Sequence, residues 1–204
     1  IGLKFGIWFE PEMISPKSEL YKAHPDYCVR AEGREPMLGR NQYVLDVSRK
    51  EVRDAVWLQI DEILKNNKID YVKWDFNRYV TDANSVVLPI DRKKEFAHRF
   101  ILGTYDLMNR LKTNYPDILL ESCSGGGGRF DPAMLYYSPQ IWTSDNTDAI
   151  GRLSIQFGTS LCYPASCMGA HVSDYPRAYY GTKADVALWG SFGYELDPRK
   201  LNEE

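Results

Sequence analysis

Ile69-Asp70-Tyr71-Val72-Lys73-Trp74-Asp75-Phe76-Asn77-Arg78 reads as a short buried strand that ends in ionisable groups, with Lys73, Asp75 and Arg78 crowded around Trp74 and Phe76. Apolar strands seldom finish this way. On a parallel sheet the carboxyl ends of the strands form the face where ligands bind, so a carboxylate placed there is a candidate catalytic group. The competing reading is a helix-capping aspartate with a structural ion pair.

Working upstream, Ser48 with Glu51 three residues on has the form of a capping box, and Val52, Val56, Ile60 and Ile63 recur at helical spacing. A helix over 49–66 is predicted to lead straight into the strand. Before it lies a Pro-rich loop of roughly 30 residues, long enough inside a domain to be an active-site loop. The chain starts with a strand over 3–9, and its lack of an initial Met suggests a piece of a longer polypeptide. Downstream, Phe96, Phe100, Leu107 and Leu111 predict a helix over 92–113, followed by a strand over 117–121. A brief helix over 131–137, a strand over 140–143 and a helix over 149–158 come next. The series ends with a strand over 161–165, a helix over 177–189 and a strand over 191–194. Short apolar strands alternating with helices imply parallel β-structure with right-handed crossovers in one domain. Six strands would complete a doubly wound sheet but leave an eight-stranded barrel two short.

At 204 residues, 44% apolar and 26% charged, the composition is that of an ordinary globular chain. A net charge of −3 offers no basic footprint for nucleic acid or an anionic membrane, and no apolar run is long enough to span a bilayer. Cys28, Cys123, Cys162 and Cys167 form no CxxC pair and there are only three histidines, so the sequence argues against a zinc site. Dispersed thiols fit a reducing compartment, so a cytoplasmic location is expected.

Five chemically active clusters fall at or just after predicted strand ends: Trp8-Phe9-Glu10, Lys73-Trp74-Asp75, Glu121-Ser122-Cys123, Ser144-Asp145 and the region from Ser166 to His171. Asp75 and Asp145 are the carboxylates of greatest interest, because paired carboxylates on one face suit glycoside hydrolysis. Lys73 shares the side of the strand that Asp75 occupies, where its charge would keep the carboxylate ionised. Asp145 has a competing reading as a helix N-cap before Thr147-Asp148-Ala149. Glu10 and Glu12 flank Pro11 and rank below the aspartates, since a Pro-bound loop can hold them in structural hydrogen bonds. His171 reads as a satisfied polar residue in a loop, and Cys123 has no evident His and Asp partners.

The run Ser124-Gly125-Gly126-Gly127-Gly128-Arg129 supports a rival function, a nucleotide-binding module built on the Gly125 to Gly128 turn. It fails the GxGxxG pattern, since position 130 is Phe130 and position 131 is Asp131 where glycine is required. A turn that lets the backbone approach a ligand is the milder reading.

Trp8-Phe9-Glu10-Pro11-Glu12-Met13, Leu38-Gly39-Arg40-Asn41-Gln42, Lys73-Trp74-Asp75-Phe76-Asn77-Arg78, Ser122-Cys123-Ser124 with the glycines through Asp131, and Trp142-Thr143-Ser144-Asp145 together resemble the α-galactosidases of glycoside hydrolase family 36. The resemblance implies a (β/α)8 TIM barrel, incomplete here, with strands three to eight and their helices. It places the N-terminal β-domain, the first two barrel strands and the C-terminal β-domain outside this chain, so that 1–204 is a partial catalytic domain. It also implies a retaining mechanism on terminal α-galactosides, with Asp75 as nucleophile and Asp145 as acid/base. In that case the carboxyl groups lie about 5–5.5 Å apart, against roughly 6.5–9.5 Å for inversion. Trp8 would wall the sugar, Arg40 and Lys73 would donate to its hydroxyls, and Asn77 would contact it beside the nucleophile. Cys123 and the backbone around Gly126 would line the 2-hydroxyl. No metal or other cofactor is implied, and the full-length protein is expected to form a homo-oligomer. A galactosyl transferase of the raffinose-synthase type is the alternative within the same fold. The isolated 204 residues are expected to be inactive and, with exposed strand edges, prone to aggregate.

Overall fold

In the computed structural model, which describes residues 2–201, the alternation of Val72 and Trp74 with Lys73 and Asp75 is realised as a strand with an apolar and a polar face. The chain divides into two compact units, Ile1–Leu119 and Leu120–Glu204.

The first unit contains strands β1 (Gly6–Phe9) and β2 (Met13–Ile14), helix α1 (Glu19–Ala23), strand β3 (Tyr43–Val44), helix α2 (Lys50–Asn66), strand β4 (Tyr71–Asp75) and helix α3 (Phe96–Asn114). β1 and β4 pair in parallel with Trp8 opposite Lys73 and Phe9 opposite Trp74. β2 and β3 pair antiparallel, Met13 opposite Val44. The helices form because their apolar residues recur every three or four positions: α2 buries Val52, Val56, Ile60 and Leu64, and α3 buries Phe96, Phe100, Leu107, Met108 and Leu111. Each such side chain contributes about 1.5–3 kcal/mol.

A carboxylate sits inside this core. Glu12 is fully buried and accepts hydrogen bonds from the Trp74 indole Nε1 at 2.9 Å and the Thr104 hydroxyl at 2.7 Å. These bonds tie the turn before β2 to β4 and α3. Losing one such buried partner costs about 1–3 kcal/mol, so the three side chains specify one arrangement.

The second unit begins within strand β5 (Leu119–Cys123), which spans the division. Helix α4 (Pro132–Tyr137), strand β6 (Gln140–Ile141), helix α5 (Ala149–Ser160), strand β7 (Gly169–Ser173), helix α6 (Tyr180–Ala187) and strand β8 (Ser191–Glu195) follow. β5 and β6 are parallel, a parallel bridge joins Ile141 to Met168 just before β7, and β7 and β8 are parallel over five residue pairs. Ala170, Val172 and Ala187 form a small core beside Ala184 and Leu196.

This α/β architecture agrees with the expected alternation, with three corrections. The strand expected at 161–165 is absent. α5 ends at Ser160 and residues 161–163 form a turn, in which the N–H groups of Cys162 and Tyr163 bond the Thr159 carbonyl, and Pro164 then leads into a short 3-10 turn. The strand forms instead at Gly169–Ser173, where Gly169, Ala170 and His171 carry little apolar signal. Ser48 does not cap α2: its hydroxyl is taken by Asp46, Glu51 is taken by Arg49 Nε at 2.8 Å, and Arg49 occupies the cap position. The long loop before α2 contains α1 and the β2–β3 pair, elements too short to show a period.

Gly103 lets α3 touch the turn before α2, because a Cβ at that position would lie 1.9 Å from the Val47 carbonyl oxygen. Arg53 Nη1 fixes the same carbonyl at 2.9 Å, so the turn cannot yield. Gly103→Ala is expected to cost about 1–3 kcal/mol in a urea-unfolding experiment on the full-length protein. Gly158→Ala, at an exposed α5 position with no heavy atom within 4 Å of the added Cβ, should be neutral or stabilising by about 0.4–1 kcal/mol.

Candidate active site

In the first unit the candidate groups gather where β1 and β4 end. Asp75 closes β4 and is 5% exposed. Its Oδ2 accepts from the Trp8 indole Nε1 at 3.2 Å and from Asn77 Nδ2 at 2.5 Å, while Oδ1 accepts from the Phe76 backbone N–H at 2.8 Å. Three N–H groups therefore converge on the two oxygens of one side chain and fix its orientation. Trp8 leaves half its surface exposed. Lys73 is half-buried and shares a strand face with Asp75.

Glu10 links these residues to the loop that carries Arg40. Its Oε1 accepts from Asn77 Nδ2 at 2.8 Å and Arg40 Nη1 at 3.0 Å, and its Oε2 accepts from Gln42 Nε2 at 3.0 Å. Arg40 and Asn41 have φ of 52° and 59°, and Gly39 and Gln42 exchange backbone hydrogen bonds across them, the geometry of a two-residue I′ turn. Left-handed conformation is unfavourable for non-glycine residues, and Arg78 braces the turn. Its Nη1 donates to the carbonyls of Gly39, at 2.8 Å, and Gln42, and its Nη2 donates to the Met37 carbonyl at 2.9 Å. Burial, assisted by the Arg40 charge, pushes the Arg78 guanidinium down from its ordinary pKa.

In the second unit, Cys123 is buried at the end of β5 and the glycine run follows. A Cβ on Gly126, whose φ is 82°, would lie 2.7 Å from Ser144 Cα and 3.1 Å from the Asp145 nitrogen. The run thus spends its close approach on the backbone bearing Asp145. The N–H groups of Ser124 and Gly128 bond carbonyls inside the loop, and α4 starts from an acidic cap, Asp131. That chemistry does not make a phosphate cradle. Asp145 is exposed and its Oδ1 accepts from the Trp142 indole Nε1 at 3.1 Å. It is not the cap of α5. Asp148 fills that role, accepting from Ile150 and Gly151 N–H at 3.2 and 3.3 Å.

Strands β5, β6 and β7 carry further polar groups. His171 belongs to β7, not to a loop, and stacks on Trp142 with ring centroids 4.6 Å apart. Glu121, 2% exposed on β5, accepts from Gln140 Nε2 at 2.9 Å. Burial pushes its carboxyl up to about 7, against the opposing pull of His171 and Gln140.

Sequence reasoning selected Asp75 and Asp145 and placed Glu10 and Glu12 below them as carboxylates held in structural hydrogen bonds, and such bonds are what both make, but it missed the parts played by Gln42 and Trp142. Glu10 was legible only through its neighbours, since Arg40 and Asn77 lie 30 and 67 residues away in sequence. Among the described residues no group of three or more His, Cys, Asp or Glu side chains could hold a metal ion, and no helix is long and apolar enough to cross a membrane.

Residues 1–204 match the family described as Melibiase. The chain belongs to the melibiase family. It is 57% identical, over its whole length, to an α-galactosidase of Lactobacillus acidophilus and 55% identical to the α-galactosidase AgaA of Geobacillus stearothermophilus, covering 29% of each. The melibiase chain therefore spans less than a third of these relatives. The crystal structure of the family 36 enzyme AgaA superposes with a TM-score of 0.95 at 55% identity over 99% of this chain and 29% of that one. A further AgaA structure, a double variant in complex with raffinose, superposes with a TM-score of 0.96 at 55% identity, covering 99% of this chain and 29% of that one.

The raised pKa of Glu121 gives this melibiase chain a defined pH dependence. The folded form holds a proton up to about pH 7, while the unfolded chain releases it near the ordinary glutamate value of 4.5. The associated stability is complete below the lower value and is lost as pH rises through the upper one. Unfolding free energy measured by denaturant between pH 4 and 8 should fall in the wild type relative to Glu121→Gln, and the difference should be constant above about pH 8.

Proposed function

We propose that the polypeptide containing this chain is a retaining exo-α-galactosidase that releases terminal galactose from raffinose-type oligosaccharides, and that 1–204 supplies strands three to eight of its (β/α)8 barrel. The observation that carries this reading is the buried Asp75 at the end of β4, with Trp8, Phe76 and Asn77 N–H groups fixing both of its oxygens. A nucleophile must present one lone pair to the anomeric carbon without reorganising, and a carboxylate locked by three donors does so. The relatives' names and the raffinose and stachyose complexes of AgaA variants support the substrate class.

In this mechanism Asp75 attacks the anomeric carbon as Asp145 protonates the departing glycosidic oxygen, leaving a galactosyl ester on Asp75. Asp145 then takes a proton from water, which attacks the same carbon and frees Asp75. Two inversions give net retention. Exposure of Asp145 suits a group that exchanges protons with leaving group and water in turn. Trp8 packs against the sugar, Lys73 and Arg40 donate to its hydroxyls, and Asn77 holds the nucleophile while reaching the substrate. Cys123 and the Gly126 backbone bound the site near the 2-hydroxyl.

Asp75→Ala in the full-length protein is expected to lower kcat by about 10³-fold or more on every α-galactoside. Asp145→Ala should lose kcat/KM heavily on raffinose and far less on p-nitrophenyl α-galactoside, whose leaving group needs no acid. Equal losses on both substrates would reject the acid/base assignment.

A further inference from the structure

We infer that Trp142 is the positioning residue of the acid/base, its indole N–H aiming the Asp145 carboxylate; this rests on the reading of Asp145 given above. Asp145 lies outside any helix or strand and is exposed, so its own surroundings do little to fix its rotamer. Trp142, by contrast, is 4% exposed and held from several sides. Its backbone N–H bonds the Ser122 carbonyl at 3.0 Å. The His171 imidazole stacks on the ring with an interplanar angle of 26°, and His171 Nδ1 lies 3.3 Å from Glu195 Oε2. The Arg152 guanidinium lies 4.7 Å from the ring centroid.

Arg152 connects the ring to the segment carrying Asp145. It is 3% exposed, and its Nη1 donates to the Ser144 carbonyl at 3.1 Å, its Nη2 to the Gly169 carbonyl and its Nε to Gln156 Oε1 at 3.1 Å. Gln156 is fixed in turn by donating to the Val186 carbonyl at 2.9 Å. Each of the three guanidinium nitrogens is thus tied to its own acceptor with the ring beside them, so this buried cation has one orientation. It therefore fixes both ends of the Trp142 to Asp145 hydrogen bond: the ring by cation–π attraction and the main chain at Ser144. A hydrogen bond to the carboxylate from a rigid donor restricts where the acidic proton can be delivered.

The test removes the N–H and keeps an aromatic side chain. Trp142→Phe, and β-(3-benzothienyl)alanine at position 142 as an isostere that preserves shape and stacking, are compared with wild type and Asp145→Ala in the full-length protein. In both Trp142 variants kcat/KM on raffinose should fall on the order of tenfold or more while that on p-nitrophenyl α-galactoside stays within about threefold. A packing role would move both substrates alike. Equal losses on the two substrates in the benzothienyl variant, or no loss on either, overturn the inference while leaving the assignment of Asp145 intact. If Asp145→Ala itself shows no leaving-group dependence, the acid/base reading falls and this inference falls with it.

Discussion

The Glu12 carboxylate buried between Trp74 and Thr104 is the constraint on which the candidate site depends. Side chains alternate along β4, so anchoring Trp74 on one face fixes the direction of Asp75 on the other. A polar group in the core is tolerable only with its hydrogen-bond partners in place, and those partners come from β4 and α3. The polar contact is therefore a specificity device as much as a source of stability. It selects the register in which Phe9 pairs with Trp74 and Trp8 lies beside Lys73.

The two carboxylates are mounted in related but unequal ways. Each accepts from an indole N–H, Asp75 from Trp8 on the neighbouring strand and Asp145 from Trp142 three residues upstream. Asp75 has two further donors and is buried, whereas Asp145 is exposed on irregular backbone. The difference matches the proposed division of labour. A nucleophile gains from immobility, and an acid/base needs access to both leaving group and water.

Much of this was legible in the sequence because a buried strand and an amphipathic helix each leave a period. The β4 run, α2 and α3 announced themselves that way, with Asp75 and Asn77 at and just beyond the end of β4. What was illegible has physical reasons. β7 is built mostly of small and polar residues, so its apolar signal is weaker than that of Leu161-Cys162-Tyr163, which form the turn that closes α5. Ser48 and Glu51 have the spacing of a capping box, but Asp46 and Arg49 outbid the backbone for their side chains. Glu10 and Arg152 act through partners distant in sequence, and no local pattern marks a residue whose role is to hold others.

The central claim, that Asp75 is the nucleophile, is tested most directly by trapping. Full-length protein is incubated with 5-fluoro-α-galactosyl fluoride, digested, and mapped by tandem mass spectrometry. A fluorogalactosyl ester on Asp75, absent after incubation with excess galactose, is the predicted result. A label on Asp145, on Glu10 or on no residue despite inactivation would contradict the account.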